Sequence, residues 1–307
     1  MEHRSLGSLR VSVVGVGCNN FGSRLDLART SEVVGSALDA GVNLFDTADT
    51  YGATQSEVLL GQALGPRRDE AVIATKFGMP LDDERYGAHP DYVRRACEDS
   101  LTRLGTDHID LYQLHYPDDT VPIADTLGAL GELVAAGKVR EIGCSNLTAA
   151  QLVAARDAAI GPAFVSVQNQ YSLLTRDPET DGVLDACATL GISFLPFYPL
   201  ANGLLTGKVR PGQPIPEGTR LSAMTPERAV HWLGDPLLAR LERLLGVADD
   251  VGVPLLTLAV SWLLSRAPVA SVIAGATSGE QVRANAAAAV TLDASVVARL
   301  DAVGEDS

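Results

Sequence analysis

The chain has 307 residues, of which 46% are hydrophobic, and a formal net charge of −14 at pH 7. The apolar content excludes global disorder. The charge excludes a general affinity for nucleic acid or an anionic membrane surface, and it means that an anionic ligand needs a local positive site. The length would suit two average domains, but α/β barrels of about 250 residues form one. No linker-like segment divides this chain, so one barrel over residues 1–307 is expected. Its four cysteines, Cys18, Cys97, Cys144 and Cys187, form no C-x-x-C pair. That composition predicts reduced thiols and a cytoplasmic setting. Met1-Glu2-His3-Arg4 leads into no apolar segment of the kind that a secretory signal needs.

Eight short β-rich runs recur in chain order, at 11–17, 43–48, 71–76, 109–115, 141–145, 164–169, 193–198 and 271–276. Most are apolar throughout, which predicts parallel strands covered on both faces. Helical patterns lie between them. Thr30-Ser31 can cap a helix through Val34, Ala37 and Leu38, and Ala53-Thr54 opens another through Val58, Leu59 and Ala63 that stops near Gly65-Pro66. Pro90 stands where a first-turn proline belongs, ahead of Val93, Ala96, Cys97 and Leu101. A helix over 125–136 stops at Gly137. After the seventh run, residues 201–235 carry Pro211, Pro214, Pro216, Pro226 and five glycines with no strand pattern. A loop of that length in a compact domain is expected to be functional, here as a clamp over a cofactor or substrate. The most apolar stretch, 253–264, is too short to span a bilayer and reads as a buried helix. Eight β units with intervening helices predict an α/β fold, a (β/α)8 TIM barrel, with an open doubly wound sheet as the alternative. The tail 304–307 is expected to fray.

Gly15-Val16-Gly17-Cys18-Asn19-Asn20 follows the first run but has Asn where a dinucleotide fingerprint needs its third glycine. A Rossmann site is therefore disfavoured, though a nucleotide cofactor is not. Asp46, Lys76 and His115 lie at the ends of the second, third and fourth runs, and Tyr51 lies five residues past Asp46. In a barrel these ends converge on one mouth. A lysine ending an apolar strand is costly to bury alone, and Asp46 supplies a partner from the neighbouring strand. A cation beside a phenol lowers its pKa from ~10, which predicts that Lys76 tunes Tyr51 as a general acid. Each residue alone has an ordinary structural explanation. Four together at one rim do not.

Asn43-Leu44-Phe45-Asp46-Thr47-Ala48-Asp49-Thr50-Tyr51-Gly52, Ala74-Thr75-Lys76-Phe77-Gly78 and Asp110-Leu111-Tyr112-Gln113-Leu114-His115 resemble the aldo-keto reductase family. So do Gly143-Cys144-Ser145-Asn146 and the run from Pro199 to Lys208, and the resemblance covers about residues 8–290. The resemblance implies a barrel that reduces aldehydes and ketones with a nicotinamide cofactor, usually NADPH, without metal. It implies that Tyr51 donates a proton to the carbonyl oxygen, that Lys76 and Asp46 support Tyr51, and that His115 orients the substrate.

For the cofactor, the resemblance implies Cys18, Asn19 and Asp46 near the reacting end. It places Ser145, Asn146 and Gln168 on the carboxamide and Phe197 against the nicotinamide ring. Tyr198 stands where a serine is often found. Pro199, Leu200, Asn202 and Gly203 would follow the pyrophosphate, with Lys208 and Arg220 offsetting its charge. Gly275, Thr277, Gln281 and Asn285 match the adenine end. Thr277 and Gln281 are neutral where many relatives place a cation for the 2′-phosphate, and Ala284 replaces a common Glu, so NADH is the second candidate cofactor. The substrate pocket is expected to include Asn20, Phe21, Tyr51, Phe77, His115 and Tyr116, with Trp232 either at its mouth or anchoring the long loop.

Two other readings are open. One is a cofactor-binding regulatory subunit resembling potassium channel β subunits. The other is a lyase or isomerase using Lys76 for a Schiff base. The expected partner is a small-molecule carbonyl, with no nucleic acid and no membrane. The oligomeric state is left open, since one sequence does not reveal an interface.

Overall fold

The computed structural model describes residues 1–305 of the chain. The chain begins with an antiparallel hairpin, β1 (His3–Leu6) and β2 (Leu9–Ser12). Eight parallel strands follow: β3 (Val14–Gly17), β4 (Leu44–Asp46), β5 (Val72–Phe77), β6 (Ile109–Leu114), β7 (Val139–Ser145), β8 (Ser166–Gln170), β9 (Ser193–Phe197) and β10 (Val272–Gly275). From β3 to β9 each pairs with its neighbour in chain order, and β10 returns to pair with β3 through Val272↔Val14. The ring closes just ahead of β10. There the Phe194 amide donates to the Pro268 carbonyl at 2.6 Å, and the Ala270 amide donates to the Phe194 carbonyl at 3.1 Å. This is the (β/α)8 barrel that the eight runs predict.

The first run, 11–17, is two elements rather than one. The chain leaves β2 at Val13, whose amide bonds Glu2, and enters the barrel only at Val14. The hairpin has its own purpose. Leu6, Leu9 and Val11 pack with Leu44, Ala74, Leu111, Leu195 and Ile273 from the barrel strands, forming an inner core distinct from the larger one under the helices. Gly7 allows the turn, with a positive φ of 58° and Glu141 against it.

The first barrel helix, Leu27–Asp39, starts earlier than Thr30-Ser31 suggests. Asp26 caps it by accepting from the Arg29 amide at 3.0 Å, and Thr30 is buried inside it. The helix Gln55–Leu64 opens after Ala53 and Thr54 as expected. Both residues are left-handed, at φ 51° and 73°, and no side chain caps the helix. Pro90 starts the helix Pro90–Leu104, and Gly137 follows the helix Ile123–Ala135 at φ 72°. The long segment 201–235 is not irregular throughout. It begins with a 3-10 turn, Ala201–Thr206, and ends with a helix, Pro226–Trp232, that has proline in its first turn. The chain continues into Asp235–Val251 and the buried helix Leu255–Leu264. The final helix, Ala294–Glu305, runs into the tail expected to fray, and 306–307 lie outside the described residues. Among the described residues no single helix is long and apolar enough to cross a membrane.

Gly61 brings two helices together near their C-terminal ends. A methyl group there would meet the Leu104 carbonyl oxygen at 2.1 Å, a backbone atom that cannot move aside. Overpacking of this kind costs about 1–3 kcal/mol. Gly61→Ala is therefore expected to lower the melting temperature by roughly 5 °C, since each kcal/mol shifts a chain of this size by several degrees. A calorimetric scan checks it.

Candidate functional site

The strand register delivers polar side chains to one end of the barrel. Gly17 pairs with Asp46, Lys76 with Gln113, and Ser145 with Gln168. All but Gln168, which is the middle residue of β8, lie at or next to a strand's C-terminal end, where barrel side chains converge. Lys76 is wholly buried. Its Nζ donates to Asp46 Oδ2 at 2.7 Å, to the Thr47 carbonyl at 2.9 Å and to Tyr51 Oη at 3.4 Å. The ammonium's three protons therefore have three acceptors, as a buried charge requires. Asp46 Oδ1 accepts from Gln168 Nε2 at 2.8 Å and Gln113 Nε2 at 3.3 Å. Burial opposes the Lys76 charge, but Asp46 and then Tyr51 outweigh it and hold its pKa above the ordinary lysine range.

Tyr51 lies on the loop that follows β4 and faces a cleft. Its pKa is raised, not lowered as the sequence predicts. Burial of the phenol is the largest cause, and Lys76 offsets it only in part because Asp46 opposes the lysine. Tyr51 thus keeps its proton. The His115 ring stands edge-on to Tyr51, with centroids 5.9 Å apart, and stacks with Tyr116 at 5.6 Å. Burial first, then Lys76, lowers the His115 pKa to about 3, so the imidazole is neutral. Its Nδ1 is buried without an acceptor, which favours keeping the ring proton on Nε2.

The cleft has a volume of about 710 Å³. Its wall includes Asp46, Tyr51, His115 and Tyr116 at one end. Ser145, Asn146, Gln168, Phe197, Tyr198, Pro199, Leu200, Asn202 and Gly203 follow, and Gly275, Thr277, Gln281 and Asn285 close the other end. Lys208 and Arg220 reach it from the long segment, and Asn19 and Asn20 reach it from the loop after β3. Asn146, left-handed at φ 61°, donates from Nδ2 to the His115 carbonyl and to Ser145 Oγ, both at 3.0 Å. Ser145 Oγ donates in turn to the Gln168 carbonyl at 2.6 Å. Arg220 lies 5.4 Å over the Tyr198 ring, and Trp232 meets that ring edge-on at 6.3 Å. Trp232 is therefore a buried anchor for the segment and does not line the cleft.

Besides Lys76, which lies behind Asp46 and Tyr51, three expected site residues do not line it. Alternation along β5 sends Lys76 inward and Phe77 outward, so Phe77 is buried under the helices against Tyr112, 4.7 Å away. Phe21 is fully buried as well; its amide bonds the Cys18 carbonyl and its own carbonyl abuts Gly52. Cys18 is also buried, with its thiol on the Val16 carbonyl and its pKa pushed up by burial. Conversely, Arg24, Met79, Leu256 and residues 216–219 line the cleft although no motif marks them.

Several features suit a nicotinamide dinucleotide. The cleft is long, has aromatic faces, carries cations from the long segment and holds buried acceptors without partners, Asn19 Oδ1 and Asn202 Oδ1. Among the described residues no cluster of three or more His, Cys, Asp or Glu is placed to hold a metal ion.

The aldo/keto reductase family profile matches residues 13–305. The chain belongs to the aldo/keto reductase family. A solved structure, "aldo-keto reductase AKR11C1 from Bacillus halodurans (holo form)", superposes with a TM-score of 0.83 at 32% identity, covering 100% of this chain and 97% of that one. A curated relative in Bacillus subtilis, the uncharacterized oxidoreductase YrpG, is 35% identical over 92% of this chain and 89% of its own. A probable voltage-gated potassium channel subunit beta of Arabidopsis thaliana is 33% identical, covering 93% and 90%. Aldo/keto reductase membership and the oxidoreductase relative support an oxidoreductase.

Behind Tyr51 lies a second buried acid. Asp49 is fully buried, and neither carboxyl oxygen has a hydrogen-bond partner. Burial and then the neighbouring Glu57 raise its pKa to about 7, against Arg103 and Lys76. The folded state therefore holds a proton that the unfolded chain releases from about pH 4. Its stability contribution is present below that pH and is lost as pH rises through 7. His115 acts in the opposite direction between its ordinary pKa of 6.5 and about 3, so a variant shows the effect more clearly than the native profile. Asp49→Asn is expected to raise the melting temperature by several degrees at pH 8 and by much less at pH 5. Equal shifts at both pH values contradict a protonated Asp49.

Proposed function

We propose that the protein is a carbonyl reductase that uses NAD(P)H, with Tyr51 as proton donor to the substrate oxygen. One observation carries the reading: a proton-bearing phenol at the cleft wall sits 3.4 Å from a buried ammonium that is itself paired with Asp46 at 2.7 Å. When bound, the nicotinamide supplies the hydride. As the substrate oxygen gains charge, Tyr51 Oη gives up its proton and the Lys76 ammonium stabilises the phenolate left behind. His115, neutral, donates a hydrogen bond to the same oxygen and orients it. Ser145, Asn146 and Gln168 would hold the carboxamide, Phe197 the ring, and Lys208 and Arg220 the phosphates. Asp46 keeps Lys76 charged and in place.

The buried, charged state of Lys76 speaks against a Schiff base, which needs a neutral and reachable amine. A cofactor-binding regulatory subunit is the second reading, because channel β subunits are among the relatives. The test is cofactor oxidation at 340 nm with a panel of aldehydes and ketones, beside borohydride trapping. Multiple turnovers with at least one carbonyl and no trapped lysine are expected. Tight cofactor binding without turnover on any member favours the regulatory reading.

A further inference from the structure

Asp49 lies two residues before Tyr51, on the loop that carries the phenol, and the reductase reading gives it no task. The inference drawn from it rests on that reading and adds a residue to it. The loop is stitched to β5: the Thr47 amide donates to the Ala74 carbonyl at 2.8 Å and the Asp49 amide to the Lys76 carbonyl at 3.1 Å. The Asp49 side chain is fully buried in a chamber of ionisable groups. Those near enough to feel its charge are Glu57 on the helix Gln55–Leu64, Lys76 on β5, Tyr112 on β6, and Tyr92 and Arg103 on the helix Pro90–Leu104. No cation there is spare. Arg103 Nε donates to Glu57 Oε2 at 2.6 Å and its Nη2 to Ser100 Oγ at 3.1 Å, while Lys76 is spent on Asp46, Thr47 and Tyr51. The phenol oxygens of Tyr92 and Tyr112 are buried without partners, so neither donates to Asp49.

A buried carboxyl with neither donor nor cation is stable only as the neutral acid. Burial and Glu57 put its ionisation at about 7, whereas Tyr51 and Lys76 titrate above their ordinary ranges and His115 at about 3. Once ionised, Asp49 must reach water, and the loop is built to let go. Gly52, Ala53 and Thr54 are left-handed in succession, at φ 58°, 51° and 73°. For the two with side chains this is a costly conformation that persists only while the surroundings enforce it. Tyr51 Oη is 3.4 Å from Lys76 Nζ, near the long limit of a hydrogen bond. A loop shift of about 1 Å parts them, and misplacement of that size can cost about a hundredfold in rate.

We propose that Asp49 is a positioning residue: as the neutral acid it seats the loop that presents Tyr51 to Lys76, and its ionisation unseats that loop and slows the reduction. Initial rates of the full chain between pH 6 and pH 9, with saturating nicotinamide cofactor and an accepted aldehyde, test it. Circular dichroism and a cofactor titration accompany each pH. Native kcat is expected to fall by about tenfold or more across that range, with the fold intact and cofactor affinity within about twofold. Asp49→Asn keeps the shape of the neutral acid and cannot ionise, so it is expected to hold at pH 9 the turnover that it shows at pH 6. A native kcat that stays flat overturns the proposal, as does a fall that Asp49→Asn shares. A fall that tracks loss of the native dichroism overturns it too, because Asp49 then supports only the fold. Each of these results leaves the reductase reading standing. No turnover by the native chain at any pH overturns that reading, and this inference with it.

Discussion

Tyr51→Phe is expected to reduce carbonyl turnover by about a thousandfold or more while leaving cofactor affinity within about twofold. General acid catalysis by one positioned group contributes roughly 10²–10⁴, and the developing alkoxide also loses the charge that Lys76 delivers through the phenol. The substitution removes one oxygen and keeps the ring, so packing against His115 is preserved. Cofactor affinity is spared because the contacts assigned to the cofactor lie elsewhere, along Ser145 to Gly203 and Gly275 to Asn285. Steady-state kinetics beside equilibrium cofactor titration separates the two effects. Retention of more than a tenth of the native turnover contradicts the role of Tyr51.

Lys76→Met is expected to abolish activity and also to destabilise the fold. Methionine fills the space but leaves the Asp46 carboxylate buried with no cation. Breaking one half of a buried pair costs about 3–5 kcal/mol. A fall of roughly 10 °C in melting temperature follows. Combining Lys76→Met with Asp46→Asn removes both charges and is expected to restore most of the stability. The remaining amide can still accept from Gln168 or Gln113. Activity is expected to stay lost, because no ammonium is then left to stabilise the phenolate. A double variant that stays as unstable as the single one contradicts the pairing as the source of the cost.

Sequence patterning makes the barrel legible because parallel strands buried on both faces are apolar throughout. The site is legible for a related reason: Asp46 and Lys76 are charges at the ends of such strands, and charges there must find one another. What the sequence hides depends on direction and distance. Phe77 follows Lys76 directly, yet strand alternation sends it to the opposite side. The hairpin is hidden because β2 and β3 read as one unbroken apolar run, and only pairing with β1 separates them. The Tyr51 pKa is hidden because burial, which opposes Lys76, depends on the whole cleft. Glu32 lies on a helix 247 residues away from the Gly279 amide that it occupies, and no local pattern announces that contact. Arg24, Met79 and Leu256 reach the cleft from loop or helix-start positions where composition carries no periodic signal.

The most direct test follows one atom. The protein is mixed with an accepted aldehyde and nicotinamide cofactor carrying deuterium at the transferring carbon, and the product is read by mass spectrometry and NMR. One deuteron on the new carbinol carbon, from a single face of the cofactor ring, is the predicted result. Product without deuterium, or intact cofactor binding with no product from any carbonyl offered, contradicts hydride transfer in this cleft.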